Sequence, residues 1–498
     1  MLKKVSFYII GTAFAVLLTA NLFITYIDEE DRADSQQLRD ETTYRHTQHG
    51  DIVGFIDKHG ARSWQGIPYA SAPTKDLRWK APRPPEHSYE LLETLKPANP
   101  CPQFTSPTNG SEEPSSRLVG NEDCLYLNVW SPPNAVKLPV MVWIHGGGNT
   151  IGNGGSYSGA SLAVNREVVV VTINYRLGVF GWFRHPKLKS GDPDDDSGNY
   201  GTLDIIQSLK WISQNISEFG GDPGNVTIFG ESAGGFNVLA MMASPLAKDL
   251  FHKAIVQSGG FNLTPVNSAE NLSNDGGHPF SSAEIVSKLF VNDGLAENLE
   301  SANKYQDAIS TNKLAEYLYE KTPSEIFRLF DGGSFGMISL PDTFGDGHVI
   351  PNVSSAELFS DSEKHNMVPI ILGTNRDEPS LFMFRDPKFV DSYFGVIPYL
   401  KNKSTYQQAV RYGGLSWKVR GVDSIADKMS RAGNSNVFAY RFDWDEEPSQ
   451  YGFDLSIALG AAHALEIPFV FGDFEGGLFS GLYPNDESQY QLSESITS

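Results

Sequence analysis

Thr227-Ile-Phe-Gly-Glu-Ser-Ala-Gly-Gly-Phe236 is the stretch on which the reading of this chain turns. Inside it lies Gly230-Glu231-Ser232-Ala233-Gly234, a G-x-S-x-G pattern. An apolar run, Val226–Phe229, precedes the pattern, and a helix-compatible run, Phe236–Met242, follows it. Strand, sharp turn and helix in that order make a nucleophile elbow. The glycines have a steric purpose: a serine on a tight, strained turn needs neighbours without Cβ atoms, so that strand and helix can approach. The expected result is a Ser232 hydroxyl held above the edge of a sheet, where a base can reach it. The motif alone is of moderate specificity, because a purely structural glycine-rich turn reads the same way. The rest of the chain has to supply its partners.

Upstream, Pro139-Val-Met-Val-Trp-Ile144 reads as a buried strand that runs into His145-Gly146-Gly147-Gly148. An HGGG segment after an early strand is a source of oxyanion-hole amides. A tetrahedral acyl-transfer intermediate carries negative charge on oxygen. Backbone N–H groups already aimed at that charge stabilise it without reorganising. The competing reading is a flexible surface turn.

An acid and a histidine should follow the serine, in that order. Of eleven histidines, His278, His348, His365 and His463 lie far enough beyond Ser232. His463 follows the strand-like Asn436–Phe442, in Gly460-Ala-Ala-His-Ala-Leu-Glu-Ile-Pro468. His348 reads as a packing residue, and His278 and His365 lie in polar, solvated stretches. For the acid, Val368–Gly373 reads as a strand and Thr374-Asn-Arg-Asp-Glu-Pro379 as the loop at its carboxyl end. Open α/β sheets place functional groups there. Asp377 and Glu378 both qualify by position.

The chain resembles the type-B carboxylesterase/lipase family, the cholinesterase-like branch of the α/β-hydrolases, from about Gly50 to about Asp473. The resemblance rests on Gly66-Ile-Pro-Tyr-Ala70, Glu122-Asp-Cys-Leu-Tyr-Leu-Asn128, Asn174-Tyr-Arg-Leu-Gly178, Gly198-Asn-Tyr-Gly201, Phe219-Gly-Gly-Asp222 and Gly230-Glu-Ser-Ala-Gly-Gly235. It implies an α/β-hydrolase fold, a central, mostly parallel twisted sheet flanked by helices. It implies a triad of Ser232, Glu378 and His463, with oxyanion amides from Gly147, Gly148 and Ala233. It also implies an internal ion pair between Glu122 and Arg176 and a disulfide between Cys101 and Cys124, the only two cysteines. An isolated cysteine pair in an exported chain agrees with that. The chain departs from the family in carrying Pro379 where glycine is usual after the acid. The loop between the cysteines holds Phe104 but no Trp or Tyr, which argues against a quaternary ammonium held by cation–π attraction. The expected activity is ester hydrolysis through an acyl-enzyme, with no cofactor and no metal. The substrate is a small-molecule or lipid-like ester. The alternative is a non-catalytic adhesion module of the same fold, and the retained triad and HGGG segment weigh against it.

Length and composition agree with one large domain. The chain has 498 residues, 40% of them hydrophobic, and a formal charge of −21. That charge argues against nucleic acid and anionic lipid headgroups as partners. Residues 35–498 read as the hydrolase domain, with Ser281–Phe330 as cap helices beside the site; helices of the main layer would read the same. Residues 1–34 read as an anchor and linker. Lys3 and Lys4 precede Val5–Ile27, which is 23 residues long and uncharged. That length suits a membrane span with the catalytic domain outside the cytoplasm. A cleaved signal peptide is the rival, with secretion as its consequence. The domain reads as short at its C-terminus relative to the family, ending in what reads as the start of a long helix. N-x-S/T sequons occur at Asn215 and Asn352.

Overall fold

The strand-like runs before and after the elbow belong to one sheet. In the computed structural model the described residues are 37–106, 117–393, 397–450, 453–475 and 481–498. Lys3, Lys4 and the Val5–Ile27 segment lie outside them, and no helix among the described residues is long and apolar enough to cross a membrane. The strands of the main sheet are β1 (Phe55–Ile56), β2 (Arg62–Pro68), β3 (Tyr126–Ser131), β4 (Leu138–Ile144), β5 (Val169–Ile173), β6 (Gly221–Glu231), β7 (Lys253–Gln257), β8 (Ile370–Asn375) and β9 (Val437–Phe442). Their order across the sheet is β9-β8-β7-β6-β4-β5-β3-β2-β1. Strands β4 to β9 run parallel, and β1 to β3 pair antiparallel at one side.

The alternation along the strands explains the two layers of helices. Val140, Val142 and Ile144 of β4 face one side and join the main core, which also holds side chains of α2 (Tyr200–Asn215) and α3 (Ala233–Ala243). Trp143 faces the other side, with Phe229 and Val170, against α1 (Ala160–Arg166) and Phe471 of α10 (Ile467–Phe471). A strand buried on both faces reads as a continuous β-branched run, and Val169–Ile173 is one. The cover on the second face thins toward β9. Trp143, Phe229, Ile255, Ile371 and Phe438 stand opposite one another in register. Trp143 and Phe229 are fully buried, Ile371 is 37% exposed and Phe438 58%.

The segment expected as cap helices forms α4 (Ser282–Asn292), α5 (Leu299–Ala308), α6 (Thr311–Glu320) and α7 (Pro323–Phe327). Leu289, Leu314, Leu318 and Phe327 join the main core, whereas Leu295 and Leu299 are exposed. Two long helices, α8 (Lys403–Lys418) and α9 (Ser424–Arg431), are joined by a π-helical turn, Val419–Asp423. A last helix, α11 (Glu487–Thr497), packs on α10. The Cys101–Cys124 disulfide is formed. Asn215 is buried, donating to Trp211 O and accepting from the Gln48 amide, so its sequon is closed to glycosylation in the folded chain.

The internal ion pair expected between Glu122 and Arg176 is not formed. Glu122 takes both oxygens to Arg78, at 2.6 Å and 2.5 Å. Arg176 is bidentate to Asp204, at 2.7 Å on each oxygen. The reason lies in the rest of the Arg78 fork, which donates to the Leu318 and Lys321 carbonyls at the end of α6. Arg78 is thus the residue placed to neutralise Glu122, while Asp204 on α2 claims Arg176.

Candidate active site

The expected site residues come together at the carboxyl ends of β4, β6 and β8 and in the loop following β9, where open α/β sheets place ligands. Ser232 is the N-cap of α3 at φ 55°, ψ −124°. A non-glycine residue there is strained and persists only when its surroundings hold it. They do: the Ser232 amide donates to Gln257 O at 2.9 Å, and a Cβ on Gly234 would lie 1.9 Å from Ile144 O. Only glycine lets α3 start this close to β4. Ala233 opens the helix, so its amide has no acceptor within it.

The HGGG turn follows β4. Gly147 has φ 102°, and a Cβ there would lie 2.3 Å from Ile151 O. The turn is anchored on several sides. Gln103 brackets Gly152, donating to its carbonyl at 2.9 Å and accepting from its amide at 2.7 Å. Asn149 accepts from Asn237 of α3 at 2.9 Å and donates to Asp342 at 2.7 Å. His145 stacks on Tyr175 with ring centroids 4.5 Å apart, and burial pulls its pKa down to about 4. It is a neutral structural residue.

The acid candidates separate cleanly. Glu378 is fully buried; its Oε1 accepts from Thr374 Oγ1 and the Asn375 amide, each at 2.8 Å. Its Oε2 lies 2.5 Å from His463 Nδ1. Burial opposes its ionisation, but the imidazole, with help from the Asn375 amide, outweighs burial and holds its pKa below the ordinary value. Asp377 faces the other way, with Oδ2 2.7 Å from Arg376 and accepting from the Ala461 amide at 3.2 Å.

His463 is 3% exposed, with the Trp417 and Phe382 rings 4.9 Å and 5.4 Å from its own. Its Nε2 lies 3.1 Å from Glu231 Oε1, within ion-pair reach but not aligned for a hydrogen bond, so both atoms lack a hydrogen-bond partner. No hydrogen bond joins Ser232 Oγ to His463 among the described residues; such contacts often tighten only when substrate is bound. Burial alone would pull the imidazole pKa down. Glu231, then Glu378, then Glu466 overcome that and push it up to about 9. Burial also drives Glu231 well above the ordinary carboxyl value, against the pull of His463. The two groups titrate together, and their apparent pKa values belong to the pair.

Sequence reasoning missed Glu231, Asn375 and Glu466 as parts of the site, and Asn149, Asn237 and Asp342 as the brace of the HGGG turn. A signal for Glu466 was present, a carboxylate inside the apolar run Ala464-Leu-Glu-Ile-Pro-Phe469. Of the other histidines, His348 meets Asp194 at 2.6 Å. His365, expected in solvent, is buried with Nδ1 against the Leu358 and Asp361 carbonyls.

Residues 41–410 match the Carboxylesterase family. The chain is 34% identical over 448 residues to para-nitrobenzyl esterase of Bacillus subtilis, covering 86% of this chain and 83% of that protein. It is 44% identical over 447 residues to mouse carboxylesterase 1D, covering 83% and 74%. Among solved structures, a PNB esterase superposes with a TM-score of 0.65 at 30% identity, covering 92% of this chain and 89% of that one. A carboxylesterase from Geobacillus stearothermophilus gives 0.66 at 28%, covering 91% and 89%. The fold is therefore that of the α/β-hydrolases, here with a serine elbow and a buried carboxylate–imidazole pair. The chain belongs to the carboxylesterase family. It is a carboxylic ester hydrolase, which sets aside the adhesion alternative.

Proposed function

We propose that this esterase works by two-step acyl transfer with Ser232 as nucleophile, His463 as general base and Glu378 as the acid that orients it. The carrying observation is the 2.5 Å contact between His463 Nδ1 and Glu378 Oε2. It fixes the tautomer, leaving Nε2 on the side of the elbow. In the first step His463 takes the Ser232 proton as Oγ attacks the ester carbonyl. The charge on the carbonyl oxygen falls to the amides of Gly147, Gly148 and Ala233. His463 then gives the proton to the leaving alcohol. Water repeats the attack on the acyl-enzyme, and the acid product leaves. Glu378 stays ionised throughout, which its lowered pKa supports.

Labelling with a fluorophosphonate tests the reading directly. The expected result is one adduct per chain, on the peptide carrying Ser232. An adduct elsewhere, or none on protein that turns over ester, overturns it. We further propose that Val5–Ile27 anchors the domain outside the cytoplasm. Full-length protein should then resist carbonate extraction from membranes of an exporting host, and a mature N-terminus between Val16 and Ser35 would replace the anchor with a signal peptide.

A further inference from the structure

Two loops meet at the base of the site, and one buried side chain spans them. Asn375 ends β8, and its amide N–H donates to Glu378 Oε1 at 2.8 Å. Its Nδ2 donates to the carbonyl of Ala462, the residue before His463, at 2.6 Å. The same Nδ2 donates to Glu466 Oε2, three residues after His463, at 2.6 Å. Both neighbours of that atom are acceptors, so the carboxamide has one admissible orientation: only an NH₂ group satisfies them.

We propose that Asn375 is a positioning residue for ester hydrolysis, pinning the base loop to the acid loop through Ala462 and Glu466. It touches no reacting atom, and the inference rests on the Ser232–Glu378–His463 reading. Other bonds already join the two loops. The Asp377 amide donates to Ala461 O at 2.9 Å, and Ser380 Oγ to Leu459 O at 2.5 Å. Losing the Asn375 carboxamide therefore leaves the loops attached but removes the contacts that flank His463 on both sides.

The chemistry gives this role a signature that packing alone lacks. Glu466 is pushed up to about 7, first by burial and then by the Glu378 charge, while the Asn375 bond pulls the other way. Without the donor Glu466 rises further and stays protonated at neutral pH. Its charge is one of three that raise His463, beside Glu231 from β6 and Glu378 from the loop after β8. The other titratable groups near Glu466 are the phenols of Tyr440 on β9 and Tyr483, both held neutral by burial. Removing the Asn375 donor therefore lowers the His463 pKa.

The test is Asn375→Leu in the full chain, assayed with 4-nitrophenyl acetate across pH. The expected kcat falls about tenfold to a hundredfold, the scale of a slight misplacement of a reacting group. KM should stay within about twofold, because binding contacts are untouched. The acid limb of kcat/KM should move to lower pH. Combined with Glu466→Gln, the losses should be less than multiplicative, because the two residues share one bond. An unchanged kcat and acid limb, a change in KM alone, or multiplicative losses each overturn the inference. If Asn375→Leu does not fold, Asn375→Ser gives the same readings. Wild-type protein with neither turnover nor labelling at Ser232 overturns the triad reading instead.

Discussion

His463 Nε2 lies 3.1 Å from Glu231 Oε1, and Glu231 is the residue immediately before the proposed nucleophile. The imidazole face that should serve the serine is thus shared with a buried carboxylate. The carboxylate strengthens the imidazole's hold on a proton, whereas the imidazolium weakens the carboxyl's. An imidazole must be neutral to act as a base, so this arrangement moves the onset of activity to higher pH.

Glu231→Gln should reverse that effect. Glu231 is the largest of the charges that raise His463 toward about 9, so its removal should shift the acid limb of kcat/KM to lower pH. The folded-state pKa of His463 lies above its unfolded value of 6.5, so the stability it adds is complete below pH 6.5. That stability is lost as pH rises through about 9. Thermal melts of wild type across this window should show the decline, and Glu231→Gln should flatten it. An acid limb that does not move would separate Glu231 from the base.

Ser232→Ala should abolish hydrolysis of short activated esters, by on the order of 10⁵-fold, because triad members act as a unit. The melting temperature should stay near wild type, since only Oγ is removed. A variant that keeps a tenth of the activity would remove Ser232 from the mechanism.

The two adjacent acids should fail in different assays. Glu378→Gln should cost several powers of ten in kcat, through loss of imidazole orientation and charge balance. Asp377→Asn should act mainly on thermal stability, because Asp377 joins Arg376 to the Ala461 amide. If kcat falls more for Asp377→Asn, the roles are reversed.

The two buried arginine–carboxylate pairs predict additivity. Glu122→Gln leaves Arg78 buried without its carboxylate, costing roughly 3–5 kcal/mol and lowering the melting temperature strongly. Arg78→Met with Glu122→Gln should cost less than the sum of the single changes, because they share one pair. Arg176→Met with Glu122→Gln should cost the sum. Coupling in the second combination would restore a Glu122–Arg176 pair.

Much of this was legible because steric demands write themselves into local sequence. The elbow needs glycine where Gly234 meets Ile144 O, and parallel strands buried on both faces need runs such as Val169–Ile173. The choice between Asp377 and Glu378 was not legible from the loop itself, because adjacent side chains in an irregular turn point in directions that only the tertiary partners set. The resemblance chose Glu378, and its buried carboxylate lies 2.5 Å from His463 Nδ1. Glu231 and Glu466 were missed because their partners come from other elements. The Glu122 partner was misread because Arg78 lies 44 residues away, and its fork is fixed by α6 carbonyls that no motif records.

The bonds between the Thr374–Ser380 and Leu459–Glu466 segments have a mechanical consequence. Six cross among the described residues, two from Asn375, one from Ser380, one each through the amide and carboxylate of Asp377, and the Glu378–His463 contact itself, so the proposed acid and base behave as one rigid jaw. The serine rides on the other jaw, at the junction of β6 and α3. Adjustment to an arriving ester is then confined to a single joint, the gap between Nε2 and Oγ, while the carboxylate–imidazole spacing stays fixed as that gap closes.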